Sequence, residues 1–351
     1  MGMKAGQHHP TKSLSYLGPA ALVAAFGVGC GSDTDTVELT VSNHNPEGTP
    51  TWEALQAWAD HVVEQSGGKL KLTVHHGGEL LAGDDAYEGV QTGAADVAIY
   101  VLDQAQGFRL NTVVTLPFMG WAGQQETTEI YQDLLEDYSE LQDEWKGVEP
   151  IAVYMMPGTH LHNTTKEIRT PEDIDGMKTM GAEGMLTESV EAAGAIPVAI
   201  DVAEMAPALD DGKVEAVINH FPVLDVFGAL EKLTYHTIFG SGGINMTPMT
   251  LIINNDVMDN LPSDVQKVLR DSGSVFSDTF FTIDEGYSQS CIDRAKEWGH
   301  TFTELSDEEL AVWYDLVKKS VHNKWIAAAE AEGLPAQPLY DDVLERIEEA
   351  K

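Results

Sequence analysis

The stretches VELTVS (residues 37–42), TWEALQAWADHVVEQ (51–65), SGG (66–68) and KLKLTVH (69–75) decide the fold. The first and last alternate apolar and polar residues in β-rich composition, which predicts two strands with one covered face each. Between them Trp52, Leu55, Trp58, Ala59, Val62 and Val63 fall on one helical stripe, and Ser66-Gly67-Gly68 stops the helix. A short helix over Asp84–Thr92, closed by Gly93, and a third strand over Ala95–Tyr100 complete a β-α-β-α-β run. That order predicts an α/β unit with helices packed on a largely parallel sheet. An acidic amphipathic helix over Gln124–Asp143 and a strand over Gly147–Met155 follow. The same grammar then restarts: strands are predicted over Met177–Met180, Ile196–Ile200 and Val214–Asn219, with helices over Met185–Ala193 and Val202–Asp211 between them. Met249–Asn254 reads as one more strand, and from Ser263 the chain reads as almost wholly helical, with Cys291 a buried helix residue. Two α/β lobes and a helical tail predict a binding fold that holds its ligand between the lobes.

The chain has 351 residues, 43% of them apolar, which is ordinary for a globular protein with two domain-sized lobes. Its charge is extreme: 57 acidic against 20 basic residues, a net of -37. Such a surface repels nucleic acid and anionic lipid, and no basic patch interrupts it, so a nucleic-acid partner is excluded. A solvated shell suited to high salt is the simplest reading of this acidity. At the N-terminus, Lys4 and Lys12 precede the apolar stretch Leu17–Val28, too short to span a bilayer. Small residues lead into Cys30, and the segment 1–30 resembles a lipoprotein-type signal peptide, with Cys30 as the lipidated residue and 31–36 as a polar tether. An ordinary secretory signal is the alternative. Contact with a membrane is expected only through that lipid anchor, and Cys291 then has no intrachain partner, so no disulfide is predicted.

Further motifs recur in a definite order: Ser66-Gly67-Gly68-Lys69-Leu70, Gly77-Gly78-Glu79-Leu80-Leu81-Ala82-Gly83, Gly89-Val90-Gln91-Thr92-Gly93-Ala94-Ala95-Asp96-Val97 and Leu116-Pro117-Phe118. Then come Thr170-Pro171-Glu172-Asp173-Ile174-Asp175-Gly176-Met177-Lys178, Ala193-Gly194-Ala195-Ile196-Pro197 and Ala208-Leu209-Asp210-Asp211-Gly212-Lys213-Val214. This succession resembles the DctP-type solute-binding proteins of TRAP (tripartite ATP-independent periplasmic) transporters over nearly all of residues 37–345. The resemblance implies a two-lobed periplasmic-binding-protein-like α/β fold with hinge-crossing strands, a long connecting helix and a helical C-terminal tail. Lobe I is expected over 37–153 plus 247–280, and lobe II over 154–246 plus 281–351. The implied function is capture of a small organic metabolite, a carboxylate or related polar compound, in the periplasm or at the cell surface. Delivery to the TRAP permease membrane subunits would follow. Neither enzymatic activity nor a cofactor is implied. An ABC-type or sensor-associated binding protein is the first alternative, and an exported metal-dependent hydrolase using the region of His160 and His162 is the second.

In that family an Arg shortly after the Gly-x-Lys turn usually clamps the ligand carboxylate, a geometry that suits a guanidinium fork. Here the stretch is Gly176-Met177-Lys178-Thr179-Met180, with Met180 where the Arg is expected. Either another residue supplies the donor, Lys178 being the nearest cation and on the same strand face by alternation, or the ligand is not a simple carboxylate. Candidate ligand contacts are Asn43 and His44 after the first strand, Tyr100 at the end of the third, and Phe118, which resembles the family's cleft aromatic. Tyr154, Met180, Glu183 (a carboxylate able to receive an ammonium group), Asn219, Phe221 and Met246 complete the set, with Asn45, His220 and Asn245 beside them. Loop hydrogen bonding or core burial is the alternative role for each. His160 and His162 share one strand face and suggest a metal pair, but no third ligand stands near them in the sequence. No H-E-x-x-H, G-x-S-x-G, P-loop or G-x-G-x-x-G after a strand occurs.

Overall fold

The computed structural model describes residues 36–102, 107–181 and 184–350. The leader, Cys30, the tether up to Asp35 and Glu183 therefore lie outside the described residues. All described residues belong to the unit 36–351, and two sheets organise it.

The first sheet holds β1 (Val37–Ser42), β2 (Leu70–His75), β3 (Val97–Val101), β4 (Val148–Met155) and the much later β10 (Pro248–Asn254). Its order is β2-β1-β3-β10-β4. β1 runs parallel to β2 and β3, whereas β10 runs antiparallel to β3 and β4, with a register shift between Leu251 and Ile252. β3 and β10 are buried along their whole length, as central strands covered on both faces must be. The helix Pro50–Gln65 starts where the Thr49 side chain accepts the Trp52 N–H, and it buries Leu55, Trp58 and Val62 against this sheet.

The second sheet holds β5 (His160–Asn163), β6 (Lys178–Met180), β7 (Ile196–Pro197), β8 (Ala216–Asn219), β9 (Tyr235–Ile238) and β11 (Thr301–Glu304), in the order β11-β9-β5-β8-β6-β7. β6 lies parallel to β7 and β8; β5 lies antiparallel to β8 and β9. The tail from Ser263 is almost wholly helical, as expected, and β11 is its one strand among the described residues. Thr301–Glu304 is β-branched and aromatic, and it finds an edge to extend beside β9, in parallel register from Thr301 opposite Tyr235.

Three segments join the sheets. The chain crosses once between β4 and β5 and returns between β9 and β10. The two crossings are hydrogen-bonded to each other, Met156 N–H to Thr247 O at 2.9 Å and Thr159 N–H to Asn245 O at 2.9 Å. Glycine is required there: a Cβ at Gly158 would stand 2.6 Å from the Gly242 carbonyl carbon. The third link is the helix Gly273–Glu297, about 37 Å long at 1.5 Å per residue. Phe276 and Phe280 near its start pack on Tyr154 of β4. Tyr287 and Arg294 farther on both bind Asp225 beside the second sheet. C-terminal to it, the helices Asp307–Val317, Asn323–Ala331 and Ala336–Glu349 close over the outside. His322 is buried among them and bonded to the Pro117 carbonyl and the Tyr340 hydroxyl. Among the described residues no helix is long and apolar enough to cross a membrane.

Candidate functional site

The carboxyl ends of parallel strands from the two sheets converge on one cavity of about 320 Å³. His44 and Asn45 follow β1, and Val101 ends β3. Met180 and Gly181 end β6, while Ile218, Asn219 and His220 end or follow β8. The crossing segments complete the wall: Met156 and Thr159 on one, Asn245, Thr247 and then Met249 of β10 on the other. Both lobes and both hinges therefore face the same space, which is where open α/β sheets place ligands. A larger cavity, of about 860 Å³, lies under Phe118 between loops and the C-terminal helices, with the residues after β9, Phe239 to Ser241, on its wall.

Local structure fixes each polar wall residue. Asn43, buried just after β1, accepts hydrogen bonds from the Asn45 backbone and side-chain amides at 2.9 and 3.0 Å, which folds the loop so that His44 and Asn45 flank the cavity. On the opposite side Thr159 Oγ1 donates to Asn245 Oδ1 at 2.6 Å, tying the two crossings together at the cavity wall. Asn219 is held from behind. His162 Nε2 can only donate to the Asn219 carbonyl, 3.1 Å away, so its Nδ1 accepts from His236 Nδ1–H at 2.7 Å. His236 Nε2 in turn accepts from His300 Nδ1–H at 3.0 Å. Three neutral imidazoles thus run in one direction, from the surface to the floor of the cavity. Burial pushes His162 well below the usual histidine range and His236 down to about 3. Burial likewise lowers His44, offset by the Ile99 carbonyl, and lowers His220 to about 4. His220 is 8% exposed, and its Nδ1 has no partner among the described residues.

Met180 is 3% exposed and lines the cavity, with Gly181 following in the left-handed region at φ 85°. Lys178 does not reach it. Lys178 is exposed at the entry of β6, and two residues of strand put it about 6.5 Å farther from the strand end that opens on the cavity. The expectation that Lys178 faces the cavity with Met180 is corrected accordingly.

Of the residues singled out in the sequence, His44, Met180 and Asn219 line the cavity, as do Asn45, His220 and Asn245. Asn43 is the buried brace of its loop. Tyr100 packs with Tyr87, Phe108 and Trp145 instead, because alternation gives the cavity to Val101. The same one-residue parity buries Met246 in the core while Asn245 and Thr247 face the cavity. Tyr154 packs between Phe276 and Phe280. Phe118 stacks on Trp313 at 5.5 Å, and Phe221 sits among His162, His236 and Phe302. His160 and His162 do share a face, yet among the described residues no group of three potential ligands able to hold a metal ion forms. Met156, Thr159, Leu186, Thr247 and Met249 were not singled out. The signal for four of them was the pair of glycine-marked crossings, Pro157-Gly158 and Gly242-Gly243.

The family model for DctP, bacterial extracellular solute-binding protein family 7, matches residues 41–327. A solute-binding protein of Chromohalobacter salexigens is 23% identical over 205 residues, which is 56% of this chain and 59% of that protein. A TRAP periplasmic solute binding protein from Desulfovibrio salexigens, solved as an open complex, aligns with a TM-score of 0.79 at 24% identity, over 90% of this chain and 95% of that one. A marine metagenome TRAP solute binding protein specific for aromatic acid ligands, in complex with metahydroxyphenylacetate, aligns with a TM-score of 0.79 at 22% identity, over 90% and 99% of the two chains. Those structures carry the two-lobed fold, and the family match carries the membership. The chain belongs to family 7 of the bacterial extracellular solute-binding proteins, the DctP family, whose members are receptors for solutes.

Proposed function

We propose that this chain is the extracytoplasmic receptor of a TRAP-type transporter, binding one small organic metabolite in the cavity between its sheets and handing it to the permease membrane subunits. The observation that carries this reading is that the cavity wall is shared by both sheets and both crossings. A ligand that touches both sides favours the closed arrangement over the open one, so binding and closure become one equilibrium. His44, Asn45, Thr159, Asn219, His220 and Asn245 supply the polar contacts in this reading, and Met180 part of the apolar wall. Anchoring through a lipidated Cys30, after removal of residues 1–29, would keep the receptor beside its permease.

The test is a thermal-shift screen of the full chain against small metabolites, followed by Asn45→Ala on one sheet and Asn219→Ala on the other. A ligand at 100 times its dissociation constant stabilises the native state by about 2.7 kcal/mol. Both substitutions should weaken binding. A ligand whose affinity depends on one side only would argue against capture between lobes. For the anchor, Cys30→Ser should move the protein out of the membrane fraction.

A further inference from the structure

Ligand chemistry follows from what the cavity wall contains. Among the described residues lining it there is no Lys, Arg, Asp or Glu. A neighbouring cavity that shares Leu186 and Asn245 with this one carries two cations, and both are already paired: Arg109 with Glu332 at 2.9 Å and Lys324 with Glu188 at 2.6 Å. A carboxylate ligand would therefore lose its hydration without gaining a counter-charge, and the net -37 of the chain opposes its approach. The two imidazoles on the wall, His44 and His220, are kept neutral by burial. What the wall does offer is amide, hydroxyl and neutral imidazole groups, including the unpartnered Nδ1 of the buried His220, set against Met156, Met180, Met249, Ile200 and Ile218. Methionine walls adapt to an irregular apolar surface.

We propose that this cleft takes an uncharged ligand, a small molecule with one apolar face and a few hydroxyl, carbonyl or amide groups, and rejects the carboxylate form of the same skeleton. The proposal rests on the solute-binding reading and deepens it.

The experiment is a charge series on constant skeletons, measured by calorimetry on the full chain at pH 7.5. Benzoate, benzyl alcohol and benzylamine form one set; glucuronate, glucose and glucosamine another; further acids with their amides and methyl esters extend the panel. The neutral member should bind about tenfold or more tighter than its acid. Met180→Arg should reverse that order while Met180→Leu keeps it. Val202→Arg, at the exposed rim of the same cavity, makes the same test if the buried arginine prevents folding. Acids that bind tightest to the unaltered chain overturn the proposal and leave the receptor reading standing. Amines that bind tightest overturn it too. If no member of the panel binds in any charge state, the proposal falls together with the reading beneath it.

Discussion

At Gly181 a single Cβ would run into the carbonyl of Ile218, and the residue also stands at φ 85°, where side chains are strained. The absence of a side chain lets the end of β6 close on β8, so that Met180 and Asn219 share one cavity. Gly240 also has positive φ, 72°, but nothing lies within 4 Å of its Cβ direction. Gly240→Ala should therefore cost only the backbone term, about 1 kcal/mol, whereas Gly181→Ala adds a backbone collision and should cost about 3 kcal/mol, measured by urea unfolding. Equal losses would mean that β6 and β8 can separate without penalty. At this scale the sequence was legible where chemistry stands out against a pattern. Met180 in place of an arginine and the polar residues after β1 and β8 were visible as residue types at strand ends. Parity was not. Whether Tyr100 or Val101, Met246 or Asn245, faces the cavity depends on how a strand enters its sheet, which partner strands far along the chain decide.

Two elements carry titrating groups whose signs oppose each other. The helix Gly273–Glu297 buries Asp284, 1% exposed, opposite the hinge; Gln124 Nε2 donates to it at 3.2 Å and also to the Met155 carbonyl. Burial, only partly offset by Gln124 and Ser288, raises its carboxyl to about 6. The folded-state value lies above the unfolded one, so the native state binds that proton more tightly and loses stability as pH rises from about 4 to 6. Asp284→Asn should be more stable than the parent by about 3 kcal/mol at pH 8, with the gap closing below pH 4. A variant no more stable at pH 8 would show that the ionised carboxylate is solvated. The imidazole chain behaves the other way. His162 and His236 are held below their unfolded values, so their contribution is complete above about pH 6.5 and is lost as pH falls toward 3, because the unfolded chain takes up protons that the native one refuses. A proton added to the chain would also set donor against donor. His236→Gln should start about 1 kcal/mol lower at pH 8 and decline less steeply between pH 6.5 and 4. Parallel curves for the two proteins would remove His236 from the account. Most of the first sheet was legible because its strands are six residues or so of alternating or β-branched sequence beside long amphipathic helices. β5, β9 and β11 have four residues each, too few for periodicity to register, and their pairing is made by tertiary contact. The predicted helix over Gln124–Asp143 breaks at Tyr138, whose extended backbone separates Gln124–Asp137 from Ser139–Gln142 and whose hydroxyl donates to Asp342.

For the molecule as a whole, the decisive quantity is the imbalance of 57 acidic against 20 basic residues. Each cation is outnumbered, so those present are shared. Arg346 alone stands near Asp133, Asp137 and Asp342 and so ties the helix Ala336–Glu349 to Gln124–Asp137. Salt weakens such exposed pairs, each worth a few tenths of a kcal/mol, but it also screens the repulsion among all the unpaired carboxylates. With a net charge of -37 the second effect outweighs the first. The melting temperature should therefore climb as NaCl goes from about 10 mM to 1 M, while the Debye length shrinks from about 30 to 3 Å. Most of the rise should come below about 0.3 M, where screening changes fastest with distance between neighbouring surface charges. A neutral osmolyte at matched osmolality separates screening from general exclusion, since only salt acts on repulsion. A flat or falling curve in NaCl would mean that the few shared cations already balance the surface locally, and that the excess charge is spread too thinly to strain the fold.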